Sequence, residues 1–263
     1  ETSATPGVGR WWDTETGRVL GYSKSKKSEV YRTALEAQTQ PEASPAAVEA
    51  APVERTGIEG GGDPSARDMD PMLRTTLKSI GDTGNRFGEN SRKRGPWTQA
   101  LEFKVKDIRE SEAETLWFVG DYAAFDPRNQ KVSQTVARLF KAGGIDFGLL
   151  HEGEKTAGND VRRVGEEGLY EELVRHNIEQ MTGAKPFKRI ITTDPHSYNT
   201  IKTEYPSFGE VAPIAHYSTI LAELLESGKL KVKAPLKKRV TFHDPCHLGR
   251  LNGGYEAPRR MLE

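Results

Sequence analysis

One short polar segment holds the only thiol of the chain. Cys246 lies in VTFHDPCHLGR, residues 240–250, and His243 and His247 flank it. Thiolates and imidazoles are both metal ligands, and thiolates are the usual ligands of iron–sulfur clusters. A lone cysteine is otherwise most often a small buried apolar residue. A single cysteine cannot form an intrachain disulfide. Because the thiol lies beside two histidines, the segment is a candidate metal-binding turn, which would need further ligands from elsewhere.

A second turn of the same kind could transfer protons. TTDPHS, residues 192–197, repeats the Asp-Pro step and holds Asp194 and His196, and Asp121 follows an earlier apolar run. Carboxylates and imidazoles donate and accept protons in catalysis. Aspartates in such turns most commonly cap helices, so each alone favours a structural role. The repeated Asp-Pro turn indicates an internal repeat.

Several function classes lack their motifs in this sequence. Lysine plus arginine equal aspartate plus glutamate at 38 each, and the basic run at 92–94 has no interleaved aromatics, so no nucleic acid partner is expected. We interpret that run as a solvated face. Phosphate-binding glycine loops, a hydrolase nucleophile elbow and zinc-protease spacing are missing. No run of about 18 apolar residues occurs, so membrane association is expected only through partners or further segments.

The elements that must position these turns alternate between strands and helices. TLWFVG, IDFGLL, FKRIITT and RVTFHD are predicted strands, and QKVSQTVARLFKAGG, EEGLYEELVRHNIEQM and STILAELLESGKL are predicted helices. This alternation predicts Rossmann-like βαβ units with a parallel sheet, which is an α/β fold. Loops at the carboxyl ends of parallel strands share one edge, so the turns with Asp121, Asp194 and Cys246 are expected there.

The chain is expected to have four regions. Residues 1–70, rich in Ala, Pro, Glu and Gly, predict a low-complexity docking arm and linker that is largely irregular. Residues 71–113 predict a helical, charged lead-in, residues 114–239 the first repeat, and residues 240–263 the start of a second. The sequence does not begin with Met, and we expect it to be a piece of a longer polypeptide.

Four stretches, LWFVGDYAAFDPRNQ, RRVGEEGL, PHSYNTIKTEYP and HDPCHLGR, resemble the cysteine-rich CCG domain family. The family includes iron–sulfur subunits of heterodisulfide reductase and glycolate oxidase, and quinone oxidoreductases that serve electron-transfer flavoproteins. The resemblance covers about residues 72–263 and implies a pseudo-duplicated domain. The family motif is a cysteine, then a C-C pair, then C-x-x-C, twice in tandem. In the first copy here, other residues stand at the cysteine positions: Asp121, Lys155, Thr156, Asp194 and Ser197.

The second copy opens at Cys246, and the resemblance implies that this thiolate ligates a 4Fe–4S cluster completed by residues outside this segment. Ser197, His243 and His247 are expected to contribute to cofactor binding, the two histidines as supporting residues. Hard oxygens and a lysine cation are poor substitutes for soft thiolates, so the first copy is expected to bind no cluster.

The first copy is instead expected to keep a pocket with a changed chemistry. Reduction of a quinone, a candidate substrate, takes up two protons along with two electrons. Positioned carboxylates or imidazoles can supply those protons. Asp121, Asp194 and His196 are therefore the candidate catalytic residues.

The resemblance implies an iron–sulfur electron-transfer subunit of a flavin- or quinone-linked oxidoreductase. The expected partners are a flavoprotein dehydrogenase or an electron-transfer flavoprotein and other subunits of a redox complex. The single cysteine suits a reducing compartment, so a cytoplasmic location is expected, or the cytoplasmic face of the membrane within a complex. The alternative is a non-catalytic scaffold domain that has lost its cluster.

Overall fold

The computed structural model describes residues 9–12, 19–23, 70–234 and 237–263. The chain divides into two units, Glu1–Gly62 and Asp63–Glu263. In the first unit, strand β1 (Gly9–Trp12) pairs antiparallel with strand β2 (Val19–Ser23). The rest of the arm predicted over residues 1–70 lies outside the described residues, so its irregular character stays a prediction.

The second unit is built on one parallel sheet. Its five strands are β3 (Lys106–Asp107), β4 (Thr115–Phe118), β5 (Phe147–Leu149), β6 (Arg189–Thr192) and β7 (Ile214–His216). They lie in the order β3-β5-β4-β6-β7, and each neighbouring pair is parallel. Helices connect β4, β5, β6 and β7 in turn, which confirms the predicted α/β fold.

Three helices of the second unit begin at the same Asp-Pro pair. In the described residues the helices of this unit are α1 (Pro71–Thr83), α2 (Asp121–Phe125), α3 (Pro127–Ala142), α4 (Asn159–Arg163), α5 (Glu167–Gly183), α6 (Pro195–Thr203), α7 (Tyr217–Glu226) and α8 (Glu256–Arg260). Helices α1, α3 and α6 each start with an aspartate cap followed by proline. The aspartate accepts free backbone N–H groups, and proline needs no acceptor at the first helical position. Across the described ranges, no helix is long and apolar enough to cross a membrane.

Strand β4 lies at the centre of the sheet and contributes to both sides of the core. Leu116 and Phe118 belong to one buried apolar cluster, and Trp117 and Val119 to the other. Successive side chains of a strand point to opposite faces, and a strand covered on both faces reads as a continuous apolar run. TLWFVG is such a run, and this is why the sequence located the strand correctly.

The prediction of a strand at RVTFHD is wrong. Residues 239–244 contain no strand, and Val240 and Phe242 expose 57% and 45% of their surface. The place beside β6 is taken by β7, only three residues long, which follows Pro213. Its alternation is too short to stand out in the sequence, whereas the apolar residues of RVTFHD suggested a strand that does not pair.

The lead-in at 71–113 packs into the same unit as the repeat that follows it. Two short 3₁₀ helices (Ser91–Arg94 and Pro96–Ala100) lie in it, and β3 extends the sheet beside β5. Trp97 is buried and contacts the ring of Trp117 at a centroid distance of 5.6 Å. The lead-in therefore contributes directly to the core.

Candidate active site at the strand ends

A cavity of about 410 Å³ opens where β4 and β6 end. Its lining includes four residues from the family's cysteine positions, namely Asp121, Thr156, Asp194 and Ser197, together with His196. The loops that carry them follow β4, β5 and β6, whose carboxyl ends share this edge of the sheet. The predicted catalytic residues Asp121, Asp194 and His196 thus lie around one cavity, and their roles stay predictions.

Gly120 links β4 to this cavity with a backbone that other residues rarely adopt. Its φ is +79°, and an added Cβ would lie 3.7 Å from both the Asp194 Cβ and the Ser197 Oγ. The space would admit a Cβ, but the positive φ favours glycine. The chain turns sharply here, and Asp121 begins α2 directly beside the loop after β6.

Asp194 is a helix cap whose carboxylate has several donors. It accepts hydrogen bonds from the backbone N–H groups of His196 and Ser197, at 3.1 and 3.0 Å, and from the Ser197 hydroxyl at 2.6 Å. Burial alone would raise its pKa, but the hydrogen bonds from His196 and Ser197 outweigh that effect and lower the pKa to about 2. Asp194 therefore stays a carboxylate at neutral pH.

His196 is the titratable group best suited to exchange protons with the cavity. Its side chain is about half exposed, and its Nδ1 lies 3.3 Å from the Asp194 carboxylate. That hydrogen bond raises the pKa of His196, against an opposing contribution from burial. A raised imidazole pKa keeps the proton bound closer to neutral pH, so His196 can act as an acid oriented by Asp194.

Asp121 is held in a buried ion-pair network that the sequence did not reveal. Its carboxylate accepts the Arg94 Nη2 at 2.8 Å and the backbone N–H of Arg86 at 2.9 Å. Arg94 also donates through Nη1 to Glu154 at 2.9 Å. Glu154 in turn accepts the backbone N–H groups of Val119 and Gly120, at 2.9 and 2.8 Å. The end of β4, the loop after β5 and the lead-in are therefore joined through one guanidinium.

The interpretation of the basic run at 92–94 as a solvated face is wrong for one of its residues. Arg92 and Lys93 are exposed, but only 3% of the Arg94 surface is. Arg94 ends a 3₁₀ helix, and the buried Trp97 follows it closely. That apolar neighbour was the available signal that the end of the run points inward.

Lys155 and Thr156, at the family's C-C positions, have different environments. Thr156 lines the cavity. The Lys155 side chain packs over Gly84, because a Cβ at Gly84 would lie 2.5 Å from the Lys155 Cγ. Gly84 also accepts the Thr156 N–H at 2.8 Å, which ties this loop to the end of α1.

The segment with Cys246 packs beside the cavity. Cys246 is exposed. The next residue, His247, places its ring edge-on against that of His196, with 4.3 Å between the centroids. Asn252 donates to the Asn199 side chain in α6 at 2.9 Å. Among the predicted cofactor-binding residues, Ser197 and His247 therefore lie at or next to the cavity, whereas His243 is exposed and outside its lining.

The residues at the first-repeat positions do not fit an iron–sulfur cluster. Asp121 is occupied by Arg94 and Arg86, the Ser197 hydroxyl donates to Asp194, and a threonine hydroxyl is a neutral, hard ligand. Within the described residues, no group of three or more histidine, cysteine, aspartate or glutamate side chains could hold a metal ion. Cys246 has the chemistry of a cluster ligand and would need partners from other residues.

Comparison with known proteins places residues 115–202 in the cysteine-rich domain (CCG) family. None of these residues is a cysteine. The chain is 37% identical over 201 residues to the "Probable iron-sulfur-binding oxidoreductase FadF" of Bacillus subtilis, covering 74% of this chain and 28% of the relative. It is 41% identical over 152 residues to the "EtfAB:quinone oxidoreductase" of Syntrophomonas wolfei, covering 58% and 21%.

A third relative is one subunit of the "Dihydromethanophenazine:CoB--CoM heterodisulfide reductase" of Methanosarcina barkeri, 29% identical over 191 residues, covering 70% of this chain and 45% of the relative. The chain thus spans less than half the length of each of these relatives. No solved structure matches it.

Proposed function

We propose that this chain, whose residues 115–202 match the cysteine-rich CCG domain family, is part of an iron–sulfur electron-transfer subunit of a flavin- or quinone-linked oxidoreductase. In this proposal Cys246 is one ligand of a 4Fe–4S cluster, and residues outside this segment complete it. Such a cluster, when bound, passes single electrons between a donor and an acceptor.

The observation that carries this proposal is an exposed thiol beside the strand-end cavity, in a chain whose relatives are named as iron–sulfur or quinone oxidoreductases. Cys246 directly precedes His247 in the sequence, and the ring of His247 contacts the ring of the cavity residue His196. A buried cysteine would have favoured an apolar packing role, but this one is open to solvent and to a further segment or partner.

The cavity supports a quinone as the second substrate of the proposed subunit. Tyr122 and Val132 line it, and both are more than half exposed, which gives an apolar surface for a flat ring. His196 lies in the same lining as a proton donor, and Asp194 orients it. Asp121 remains a predicted third member, although its carboxylate is held by Arg94 and by the Arg86 backbone.

The proposed partners follow from the same relatives. We infer a flavoprotein dehydrogenase or an electron-transfer flavoprotein as donor, within a redox complex of several subunits. Contact with a membrane would come through those partners or through further segments.

Measurement of iron, acid-labile sulfide and the EPR spectrum on the anaerobically purified full-length protein tests this function. The wild type should show a cluster signal that Cys246→Ala removes and that Arg250→Ala keeps, because Arg250 is an exposed residue of the same turn. Reoxidation of the reduced wild type by an added quinone then tests the substrate. Iron that is indifferent to Cys246→Ala would contradict the proposal.

A scaffold function is the second candidate, and a specific observation favours it. The segment that matches a cysteine-rich family contains no cysteine, and the described residues bring together no group of three or more histidine, cysteine, aspartate or glutamate side chains that could hold a metal ion. A full-length protein without iron would identify this chain as a docking domain whose cavity has no redox function.

A further inference from the structure

A buried arginine, Arg94, pairs with Asp121, one of the residues that line the strand-end cavity. Arg94 exposes 3% of its surface and Glu154 exposes 2%. An arginine side chain stays protonated in proteins, and its planar guanidinium can bridge two carboxylates. Arg94 does this, with 2.8 Å to Asp121 and 2.9 Å to Glu154.

We propose that Arg94 takes the place of a metal in joining the loops after β4 and β5, and that the first repeat is a metal-free pocket whose residue Asp121 is held by an arginine clasp. The clasp consists of Arg94, Asp121 and Glu154. It is independent of the cluster proposed at Cys246, because it involves two residues of the first repeat and one of the lead-in, and none of the turn that holds Cys246.

The clasp connects two of the three loops whose family positions would carry cysteines, the loops after β4 and β5. Asp121 stands at the first of those positions, and Glu154 directly precedes the C-C positions. Glu154 is also bonded to the backbone at Val119 and Gly120, so its carboxylate joins the loop after β5 to the end of β4. Bonds between loops that a shared metal would provide are thus provided here by charge-assisted hydrogen bonds.

The surroundings of the guanidinium leave little freedom for a metal ion. The Arg94 Cζ lies 5.0 Å from the Phe125 ring centroid, and the Arg94 Nε is buried with no hydrogen-bond partner in the part of the chain that the structure describes. A metal cation next to this guanidinium would meet repulsion between like charges in a medium that screens them weakly. A metal that displaced Arg94 from Asp121 would leave this buried guanidinium with Glu154 as its one remaining carboxylate among the described residues, which is a costly loss in the interior.

The residue that forms the clasp comes from outside the segment that matches the family. Arg94 belongs to the lead-in, whereas the match covers residues 115–202. The lead-in therefore completes the first repeat, and the loss of cysteines there goes together with a cation contributed by a different part of the chain.

Thermal unfolding of the full-length protein, with and without iron, tests the clasp. Arg94→Met leaves two buried carboxylates without their shared cation and should lower the Tm by roughly 10 °C. The matched control Arg92→Met, in the same basic run but exposed, should change the Tm by no more than about 2 °C. The triple variant R94M/D121N/E154Q removes all three charges and should recover most of the loss.

Two further measurements cover the other outcomes. If Arg94→Met does not fold, Arg94→Lys, which keeps the charge but not the two-armed geometry, should fold with an intermediate loss of Tm. Asp121→Asn and Ser197→Ala should leave iron per polypeptide unchanged, whether or not Cys246→Ala removes it. Iron lost in Asp121→Asn or Ser197→Ala, or an Arg94→Met protein as stable as Arg92→Met, would overturn the clasp without bearing on Cys246.

Discussion

The chain has two turns with nearly the same residues, Asp-Pro-His at 194–196 and Asp-Pro-Cys-His at 244–247, and their surroundings are opposite. In the first, Asp194 caps α6 and its carboxylate is filled by N–H and hydroxyl donors from the following residues. In the second, Asp244 turns to the Arg259 guanidinium, at 3.1 and 2.7 Å, and the residues that follow form a turn without an α-helix.

This difference shows that an Asp-Pro pair favours a turn but does not determine whether a helix follows it or which partner the aspartate binds. At the first turn, Asp194 accepts its hydrogen bonds from the residues that directly follow it. In the neighbouring loops, Arg94 adds a buried cation that pairs with Asp121 and Glu154. At the second, the thiol of Cys246 is exposed. The loops of the first region bond to one another within the described residues, whereas the second region contains the proposed cluster ligand Cys246, which would need ligands from elsewhere.

The largest effect is expected when Glu154, the second carboxylate of the clasp, is removed, and this tests whether buried charges hold the first region together. Glu154→Ala leaves Arg94 with Asp121 alone and leaves the Val119 and Gly120 N–H groups unpaired, so the free energy of unfolding should fall by about 3–5 kcal/mol. Urea unfolding measures this change. The control Glu152→Ala, two residues earlier and half-exposed, should lose less than about 1 kcal/mol, and equal losses would show that the first region is not held by its buried charges.

A smaller effect is expected from the cap of α6. Asp194→Ala should lower the free energy of unfolding by about 1 kcal/mol through the lost helix cap. The NMR titration of His196 is the more specific measurement. Its pKa, raised in the wild type by the Asp194 hydrogen bond, should fall in Asp194→Ala, whereas the pKa of His176 should not move. An unchanged His196 would show that Asp194 does not orient it.

The pH dependence of that difference follows from the two pKa shifts. The raised pKa of His196 stabilises the folded state below its unfolded value of about 6.5, and this contribution is lost as the pH rises through the folded pKa. The lowered pKa of Asp194 stabilises the folded state above about 3.9, and this contribution is lost as the pH falls toward 2. The gap between wild type and Asp194→Ala should therefore be widest between about pH 4 and 6.5.

The smallest effect is expected at the second turn. Arg259→Met removes the partner of Asp244 in an ion pair that is partly exposed to water, so the free energy of unfolding should change by less than about 1 kcal/mol. This variant shows how firmly the second turn is held relative to the first, and the same preparation can be analysed for iron. A loss of several kcal/mol in thermal or urea unfolding would show that the Cys246 turn is as tightly built as the first.

The sequence alone determined the parallel α/β fold and the edge at which the polar loops gather. TLWFVG and the Ile190–Ile191 pair of FKRIITT are apolar because these strands are covered on both faces, and this signal lies within a few neighbouring residues. The apolar pattern of the sequence also led to the mistaken strand at RVTFHD, because such a pattern does not distinguish a segment that pairs in a sheet from one that stays exposed. Asp194 was identified as a candidate together with its capping role, which also depends on adjacent residues.

Only the tertiary structure decided what the strand-end site contains. Arg94 and Glu154 are 60 positions apart, and Arg94 and Asp121 are 27 apart. Neither contact leaves a local pattern, because it depends on the lead-in packing across the end of β4. Burial then turns a basic residue of an apparently solvated run into the central cation of the site, since a charge in the interior persists only where the fold supplies its partners.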